Sequence, residues 1–210
     1  MTLSTLAMVA EGPLLVAVPA ERPIKSTADL VAAARAKPGA LNYGTAGVGS
    51  LAHLATELLN GAANIQMTHV PYKGAGPALI DLAAGQIDVM ISNYSTVIPQ
   101  IKSGKVRAIA VTSPKPSPAF PDLPPVAAAV PGYAMDIWVT VFAPAGTPAP
   151  LVERLNREIN AISASPELRV FLEPDGAQPV ALSPAAVAAR MKDDLVQLKR
   201  IAADRKISLD

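Results

Sequence analysis

The chain has 210 residues, of which 50% are apolar and 17% are charged, and it contains no cysteine. This balance excludes a disordered, highly charged segment, and the missing cysteines exclude disulfides, thiolate nucleophiles and iron–sulfur clusters. The 18 basic and 17 acidic residues nearly cancel to a net charge of +1. Proteins that hold nucleic acid need a clustered positive excess, so no nucleic-acid partner is expected.

Short aliphatic runs alternate with helical segments along most of the chain. The runs end at proline, glycine or polar loops, and the helical segments begin after such loops. The predicted strands are Leu14–Val18, Leu41–Tyr43, Ile65–Val70, Ile87–Ser92, Val106–Thr112 and Ile137–Phe142. The predicted helices between them are Leu30–Ala36, Ser50–Asn60, Pro77 to near Gly85, Thr96–Ser103 and a short helix near Val126–Val130. This alternation predicts an α/β fold with a largely parallel sheet.

Local signals mark several helix ends. Ser26 and Asp29 form a capping box before the first helix, and Gly61 and Gly104 are predicted to end later helices. The C-terminal part is predicted to be mostly helical, because apolar residues recur at helical spacing. These residues are Leu151, Leu155, Ile159 and Ile162, followed by Val187, Met191, Leu195, Leu198 and Ile201.

The N-terminal sequence lacks the pattern of an export signal. Its first basic residue is Arg22, and no apolar run reaches the roughly 18 residues that span a bilayer. The chain as written is therefore expected to carry no signal peptide.

The glycine-rich loop Gly44–Ser50 joins a predicted strand to a helix, so it offers backbone N–H groups and the positive end of a helix dipole to an anion. A triphosphate-binding loop would have lysine at position 50. Gly47–Ala52 fits a GxGxxA pattern, but no acidic residue follows about 20 positions later, which disfavours a dinucleotide. A carboxylate is the preferred ligand, and a tight turn without a ligand is the alternative.

His53, Glu57 and His69 are the chemically active side chains near this loop. Two histidines without cysteine or a carboxylate cluster do not predict a metal site. Ser50 and His53 are three residues apart, but no nucleophile elbow or orienting carboxylate accompanies them. We therefore expect no catalytic constellation and no cofactor. His53 either lines a ligand pocket or makes a local hydrogen bond.

The second loop, Tyr72–Pro77, also precedes a helix and offers further backbone N–H groups. Lys73 is either a carboxylate partner or a solvated surface residue. Ser92–Ser95 follows a strand end and could supply side-chain donors, although Ser95 could instead cap the next helix. Trp138 is expected to serve core or hinge packing.

Four stretches together resemble the substrate-binding proteins of tripartite tricarboxylate transporters, also called the Bug receptors. They are SxxDLVAAARAKPGALNYGTAGVGSLAHLATELL from Ser26, HVPYKGAGPALIDLAAGQIDVM from His69, GKVRAIAVTS from Gly104 and WVTVFAPAGTP from Trp138. The resemblance implies a type II periplasmic binding-protein fold, in which two α/β lobes close on a di- or tricarboxylate. It also implies periplasmic location, membrane permease subunits as partners, and delivery of a solute without catalysis.

The same resemblance implies ligand-binding positions on both loops and at one strand end. Carried over by position, they are Thr45, Ala46, Gly47, Gly49, Ser50, His53, Tyr72, Gly74, Ala75, Gly76 and Asn93. Position 75 is often a hydroxyl residue in the family, so its alanine here implies the loss of one donor.

The chain departs from the family at its front, where a first strand, a glycine-rich loop and a first helix of the other lobe are expected. We therefore expect an N-terminally truncated receptor. Residues 18–135 are predicted to form one complete lobe, and residues 1–17 with 136–210 an incomplete second lobe. Such a chain is expected to expose apolar surface or strand edges and to self-associate.

Three functional hypotheses remain open from the sequence. The first is a receptor that captures a small organic carboxylate for a tripartite transporter. The second is a degenerate, truncated paralogue that serves only as an interaction module, and the third is a small oxidoreductase that uses Gly47–Ala52.

Overall fold

A computed structural model describes residues 3–207, which divide into two compact units. The first unit contains residues 3–12 and Ile137–Arg200, and the second contains Pro13–Asp136 and residues 201–207. The predicted lobe 18–135 lies within the second unit, and the completeness of either lobe stays a prediction. In the described part of the chain, each helix is too short or too polar to cross a membrane.

The described residues form eight strands and seven α-helices. The strands are β1 (Leu3–Pro13), β2 (Leu15–Pro19), β3 (Asn42–Thr45), β4 (Thr68–Pro71), β5 (Val89–Ser92), β6 (Val106–Val111), β7 (Asp136–Pro144) and β8 (Gln178–Pro179). The helices are α1 (Thr27–Ala36), α2 (Leu51–Ala62), α3 (Ala75–Ala83), α4 (Tyr94–Lys102), α5 (Ala149–Ser163), α6 (Pro166–Leu172) and α7 (Pro184–Asp204).

The second unit is built on a five-stranded sheet in the order β4-β3-β5-β2-β6. Strand β3 pairs in parallel with β4 and β5, whereas β2 pairs antiparallel with β5 and β6. The prediction of a largely parallel sheet is therefore wrong for β2. Alternation of strands and helices indicates crossovers, but it does not reveal that the first strand of this unit inserts between β5 and β6.

Strand β2 forms the centre of this unit. All five of its residues are buried, as expected for an aliphatic run covered on both faces of a sheet. Leu15 and Ala17 pack in one core cluster with Leu79 and Leu82 of α3 and Met90 of β5. Helix α2 packs on β3 and β5, and α4 packs on β6. The second unit is therefore a layered α/β body.

The first unit contains a three-stranded sheet in which β1 lies between β7 and β8. Asn156 on α5 donates hydrogen bonds to the carbonyl oxygens of Leu6 and Leu182, at 2.7 and 2.8 Å. Trp138 on β7 donates through its indole N–H to the carboxylate of Asp194 on α7, at 2.7 Å. Trp138 thus ties β7 to α7 within this unit.

Several local predictions are confirmed. Ser26 caps α1 by accepting a hydrogen bond from the backbone N–H of Asp29, and Gly85 and Gly104 follow the ends of α3 and α4 with φ of 72° each. The predicted strands correspond to β2 through β7, and the helices to α1 through α4, with shifted ends.

Other local predictions are wrong. Gly61 lies inside α2, and Asn64 takes the left-handed conformation beyond that helix, with φ of 49°. Within the predicted helix near Val126–Val130, Val126–Ala128 alone is helical, and it forms a turn of 3-10 helix. Pro77 is the third residue of α3 rather than the first. The strands β1 and β8 lie where no strand was predicted.

We predict that Gly61→Ala raises the free energy of unfolding by about 0.5–1 kcal/mol, because glycine is unfavourable in a helix interior. The site is open, since no atom lies within 4 Å of the position that a Cβ would take. Gly104→Ala is the matched control. The same methyl at φ of +72° should cost about 1 kcal/mol or more. Urea unfolding followed by circular dichroism measures both, and a destabilised Gly61→Ala variant would contradict the helix assignment.

Candidate functional site

Three strand-to-helix connections meet at one edge of the sheet in the second unit. Strands β3, β4 and β5 are parallel and lead into α2, α3 and α4, respectively. Gly44 is in register with Val70 on one side and with Met90 on the other, so the three strands end at the same level. The structure therefore brings the predicted loops and Asn93, which follows β5, to the same edge.

Backbone hydrogen bonds join the two predicted loops directly. The N–H of Tyr72 donates to the carbonyl oxygen of Thr45 at 3.1 Å, and the N–H of Gly74 donates to that of Ala46 at 3.3 Å. Ala46 is exposed between them. The two loops therefore form one continuous surface.

The helices that start at this surface differ in how they are capped. Ser50 caps α2 by accepting a hydrogen bond from the N–H of His53 at 3.3 Å. Gly74 and Asn93 occupy the N-cap positions of α3 and α4, and neither makes a side-chain capping bond. Ser95, which was considered as a cap, is the second residue of α4. The first turns of α3 and α4 thus present backbone N–H groups without a capping side chain, a setting that favours an anion.

The glycine loop holds a backbone conformation that only glycine adopts easily. Gly47 has φ of 134° and Gly49 has φ of 73°. A Cβ on Gly47 would lie 3.5 Å from the carbonyl oxygen of Tyr72 in the other loop. The hydroxyl of Thr45, which is buried, accepts a hydrogen bond from the N–H of Gly47 at 3.2 Å. Thr45 thus supports the loop from inside the sheet.

Two histidines lie against the same loop. Nδ1 of His53 accepts a hydrogen bond from the N–H of Gly49 at 3.1 Å, which leaves Nε2 as the protonated nitrogen of the neutral ring. Nε2 of His69 lies 2.7 Å from the Thr45 hydroxyl. The two imidazoles stack with their centroids 3.8 Å apart, and the Tyr43 ring stacks on His69.

Burial favours the neutral form of both histidines. Burial lowers the pKa of His53, although the nearby Glu57 carboxylate opposes this shift. Burial and the adjacent His53 lower the pKa of His69 to about 4. The structure shows the local hydrogen bond from the loop to His53, and a role of His53 in a ligand pocket stays a prediction.

Glu57 is the centre of a buried polar cluster next to the histidines. The Tyr43 hydroxyl donates to Oε1 at 2.6 Å, Asn60 donates to the same oxygen at 2.9 Å, and Arg205 donates to Oε2. Burial alone would raise the pKa of Glu57, but the hydrogen bonds from Tyr43 and Arg205 outweigh it and lower the pKa. Sequence reasoning missed this cluster, because Glu57 and Arg205 are far apart in the chain and each also reads as a surface residue.

His53, Glu57 and His69 do not form a metal centre. Both Glu57 oxygens already accept hydrogen bonds, and no group of three or more potential ligands suited to a metal ion occurs among residues 3–207. Both carboxylate oxygens of Glu57 are thus used in hydrogen bonds within the cluster.

An open pocket of about 830 Å³ lies beside the cluster. Its lining includes His53, His69 and Val48 of the glycine loop. The lining also includes three basic residues, Arg35, Arg205 and Lys206, and the acidic Glu57.

The second loop contributes backbone more than side chains. The Tyr72 hydroxyl donates to the Asp81 carboxylate at 2.7 Å, and burial together with this bond raises the pKa of Tyr72 to about 12. Lys73 is exposed, in agreement with a solvated surface residue. Gly74, Ala75 and Gly76 begin α3 or precede it directly.

Comparison with known proteins supports the resemblance seen in the sequence. The model of the tripartite tricarboxylate transporter family receptor matches residues 1–207. Four curated relatives match at least 90% of this chain, and the chain spans 59% of their length.

Three solved structures are similar over nearly the whole chain. The R. palustris protein Rpa4515, solved with adipate, is 36% identical with a TM-score of 0.88, and the match covers 98% of this chain and 69% of that chain. The periplasmic binding protein BugD is 29% identical with a TM-score of 0.84, covering 98% and 70%. MatC from Rhodopseudomonas palustris, with bound malate, is 28% identical with a TM-score of 0.82, covering 95% and 69%. These matches confirm the predicted α/β fold of the periplasmic binding proteins.

We predict that Glu57→Gln lowers the free energy of unfolding at neutral pH by about 1–3 kcal/mol, because the Arg205 guanidinium loses its charged partner. The pKa of Glu57 is lower in the folded chain than in the unfolded chain. Its contribution is therefore complete above the unfolded pKa of 4.5 and is lost as the pH falls below that value.

Urea unfolding at neutral and acidic pH measures this effect. The difference between the wild type and Glu57→Gln should narrow as the pH falls below 4.5. Glu153→Gln, at an exposed position on α5, is the matched control and should behave as the wild type at each pH. A difference for Glu57→Gln that stays constant with pH would show that the carboxylate charge is not what stabilises this cluster.

Proposed function

Because the chain belongs to the tripartite tricarboxylate transporter receptor family, we propose that it is a solute-binding receptor for a small organic dicarboxylate. Adipate and malate, the ligands of the two similar R. palustris structures, are both dicarboxylates. The proposed role is to bind and release the solute without chemical change. The proposed ligand-binding residues are Thr45, Ala46, Gly47, Gly49, Ser50, His53, Tyr72, Gly74, Ala75, Gly76 and Asn93.

The observation that carries this proposal is the meeting of three helix starts at one edge of the sheet. Parallel pairing of β3 with β4 and β5 aligns the loops before α2, α3 and α4. Gly74 and Asn93 leave the first turns of α3 and α4 without a capping side chain. A carboxylate placed there accepts hydrogen bonds from backbone N–H groups and lies at the positive ends of helix dipoles.

The composition of the two loops suits a carboxylate better than a phosphate ester. Position 50 is serine, and the exposed Lys73 is the one cationic residue in the two loops. We therefore expect neutral backbone donors to bind the carboxylate. Hydrogen bonds to a charged acceptor contribute about 1.5–3 kcal/mol each, so a few of them suffice for a reversible complex. Reversible binding is what a delivery protein requires.

The place and partners of the chain are part of the same proposal. BugD is a periplasmic binding protein, which supports a periplasmic location for this chain. The family description names a tripartite transporter, which supports membrane permease subunits as the partners that accept the solute.

We predict that a dicarboxylate raises the melting temperature of the chain. A ligand that binds only the folded state adds about 2.7 kcal/mol at a hundredfold excess over Kd. Thermal unfolding with malate, adipate, citrate and, as a monocarboxylate control, hexanoate measures this effect. A dose-dependent shift with a dicarboxylate and none with hexanoate is expected, whereas no shift with any di- or tricarboxylate would contradict the proposed function.

We predict that Gly47→Ala weakens dicarboxylate binding by about tenfold or more, because the added methyl forces the loop out of its positive-φ conformation. Gly85→Ala is the matched control. It also places a side chain at a positive φ, here 72°, directly after α3 and outside the two loops. Isothermal titration calorimetry should find the control within about twofold of the wild type. Equal losses in both variants would show that general destabilisation, and not the loop, weakens binding.

A further inference from the structure

The start of α2 has a reciprocal cap in which histidine takes the place of an acid. Ser50 at the N-cap accepts a hydrogen bond from the backbone N–H of His53, the third residue of the helical run. The His53 side chain in turn accepts one from the backbone N–H of Gly49. In the usual capping box this second acceptor is a glutamate or a glutamine.

The same chain contains the acidic version of this cap, at α1. Ser26 accepts from the N–H of Asp29 at 3.1 Å, and the Asp29 carboxylate accepts from the N–H of Lys25 at 2.9 Å. The spacing of cap, acceptor and donor is therefore identical at the two helices. The two caps differ in the group that accepts the hydrogen bond from the residue before the cap.

Mildly acidic pH protonates an imidazole acceptor more readily than a carboxylate acceptor. The lone pair of His53 Nδ1 that accepts from Gly49 is also the site where a second proton would bind. A proton there would face the N–H of Gly49, so two donors would oppose each other and the hydrogen bond would be lost. The ring centroids of His53 and His69 are 3.8 Å apart, so two positive charges on this pair would repel each other.

The groups that surround His53 come from several elements. Glu57 on α2 and Tyr43 on β3 lie on one side, and His69 on β4 stacks on the ring. Arg205 and Lys206, beyond α7, and Arg35 on α1 line the same pocket. Glu57 favours a proton on His53, but Arg205 pairs with this carboxylate. Burial therefore favours the neutral imidazole of His53, and the Glu57 carboxylate opposes it.

We propose that His53 is a positioning residue whose neutral imidazole holds the glycine loop in its ligand-binding conformation, and that protonation of His53 releases the loop in acid. The consequence for ligand affinity rests on the proposed function, because it takes the loop Thr45–Ser50 as one wall of the dicarboxylate site. Both histidines line the open pocket beside the loop.

The first experiment follows the loop in the ligand-free chain by nuclear magnetic resonance, over about pH 7.5 to 4.5. The Gly49 amide should shift with the same midpoint as the His53 ring nitrogens. In His53→Asn the amide oxygen replaces Nδ1 as an acceptor without titrating, so the Gly49 amide should then stay constant. The Lys25 amide, which donates to the Asp29 carboxylate, is the internal control. The hydrogen bonds of Asp29 with Lys25 and Ser26 lower the pKa of Asp29, so this acceptor is harder to protonate.

Two results of this experiment would overturn the inference. In the first, His53 titrates while the Gly49 amide does not follow it. In the second, His53 stays neutral throughout the range in which the chain is folded, so that the cap never opens.

The second experiment measures malate binding by calorimetry at about pH 7.5 and pH 5.5. The wild type should lose affinity at the lower pH to a larger extent than His53→Asn, which should change by less than about twofold between the two conditions. Protonation of malate itself affects both proteins equally, so the comparison between them isolates His53.

The outcomes separate the two proposals. Equal pH dependence in the wild type and His53→Asn overturns the inference and leaves the receptor function standing. In the opposite case, the Gly49 amide titrates together with His53, but the chain binds no di- or tricarboxylate at any pH. This result supports the cap and contradicts the proposed function.

Discussion

Parallel pairing on both sides of β3 is the constraint on which the candidate site depends. A parallel strand must be followed by a crossover, so each of β3, β4 and β5 ends in a loop that turns into a helix at the same edge of the sheet. The register fixes how the three loops meet, because Gly44 is level with both Val70 and Met90. A slip of one residue in either pairing would separate the loops and turn their side chains to the other face.

The loops themselves are irregular, and buried side chains fix their shape. Thr45 binds the N–H of Gly47 from inside the sheet, and His53 binds the N–H of Gly49 from the first turn of α2. Both glycines have positive φ, a conformation that a glycine backbone can adopt but does not enforce. The supporting side chains therefore supply the order that a backbone binding site needs before a ligand arrives.

Local signals explain most of what the sequence predicted correctly. The capping box of Ser26 and Asp29 was visible because its partners are three residues apart, and β2 was visible as an uninterrupted aliphatic run. The insertion of β2 between β5 and β6 was not visible, since strand order is decided by packing over the whole sheet. The pairing of Glu57 with Arg205 was missed for the same reason. His53 was singled out as a pocket residue or a local hydrogen-bond partner, but its acceptor role could not be predicted because it depends on the loop geometry.

The ion pair of Glu57 and Arg205 and the backbone donors proposed to bind the ligand lie in different parts of the site. The ionised pair of Glu57 and Arg205 lies in the cluster next to the histidines, where Tyr43 and Asn60 complete its hydrogen bonds. Apart from the exposed Lys73, the loop surface itself is built from neutral donors. A buried cation there would be costly whenever the site is empty, whereas a backbone N–H in a first helical turn is satisfied by water and can exchange that water for a carboxylate. Under the proposed function, binding by neutral donors keeps the empty and the filled states close in free energy, which favours release of the solute.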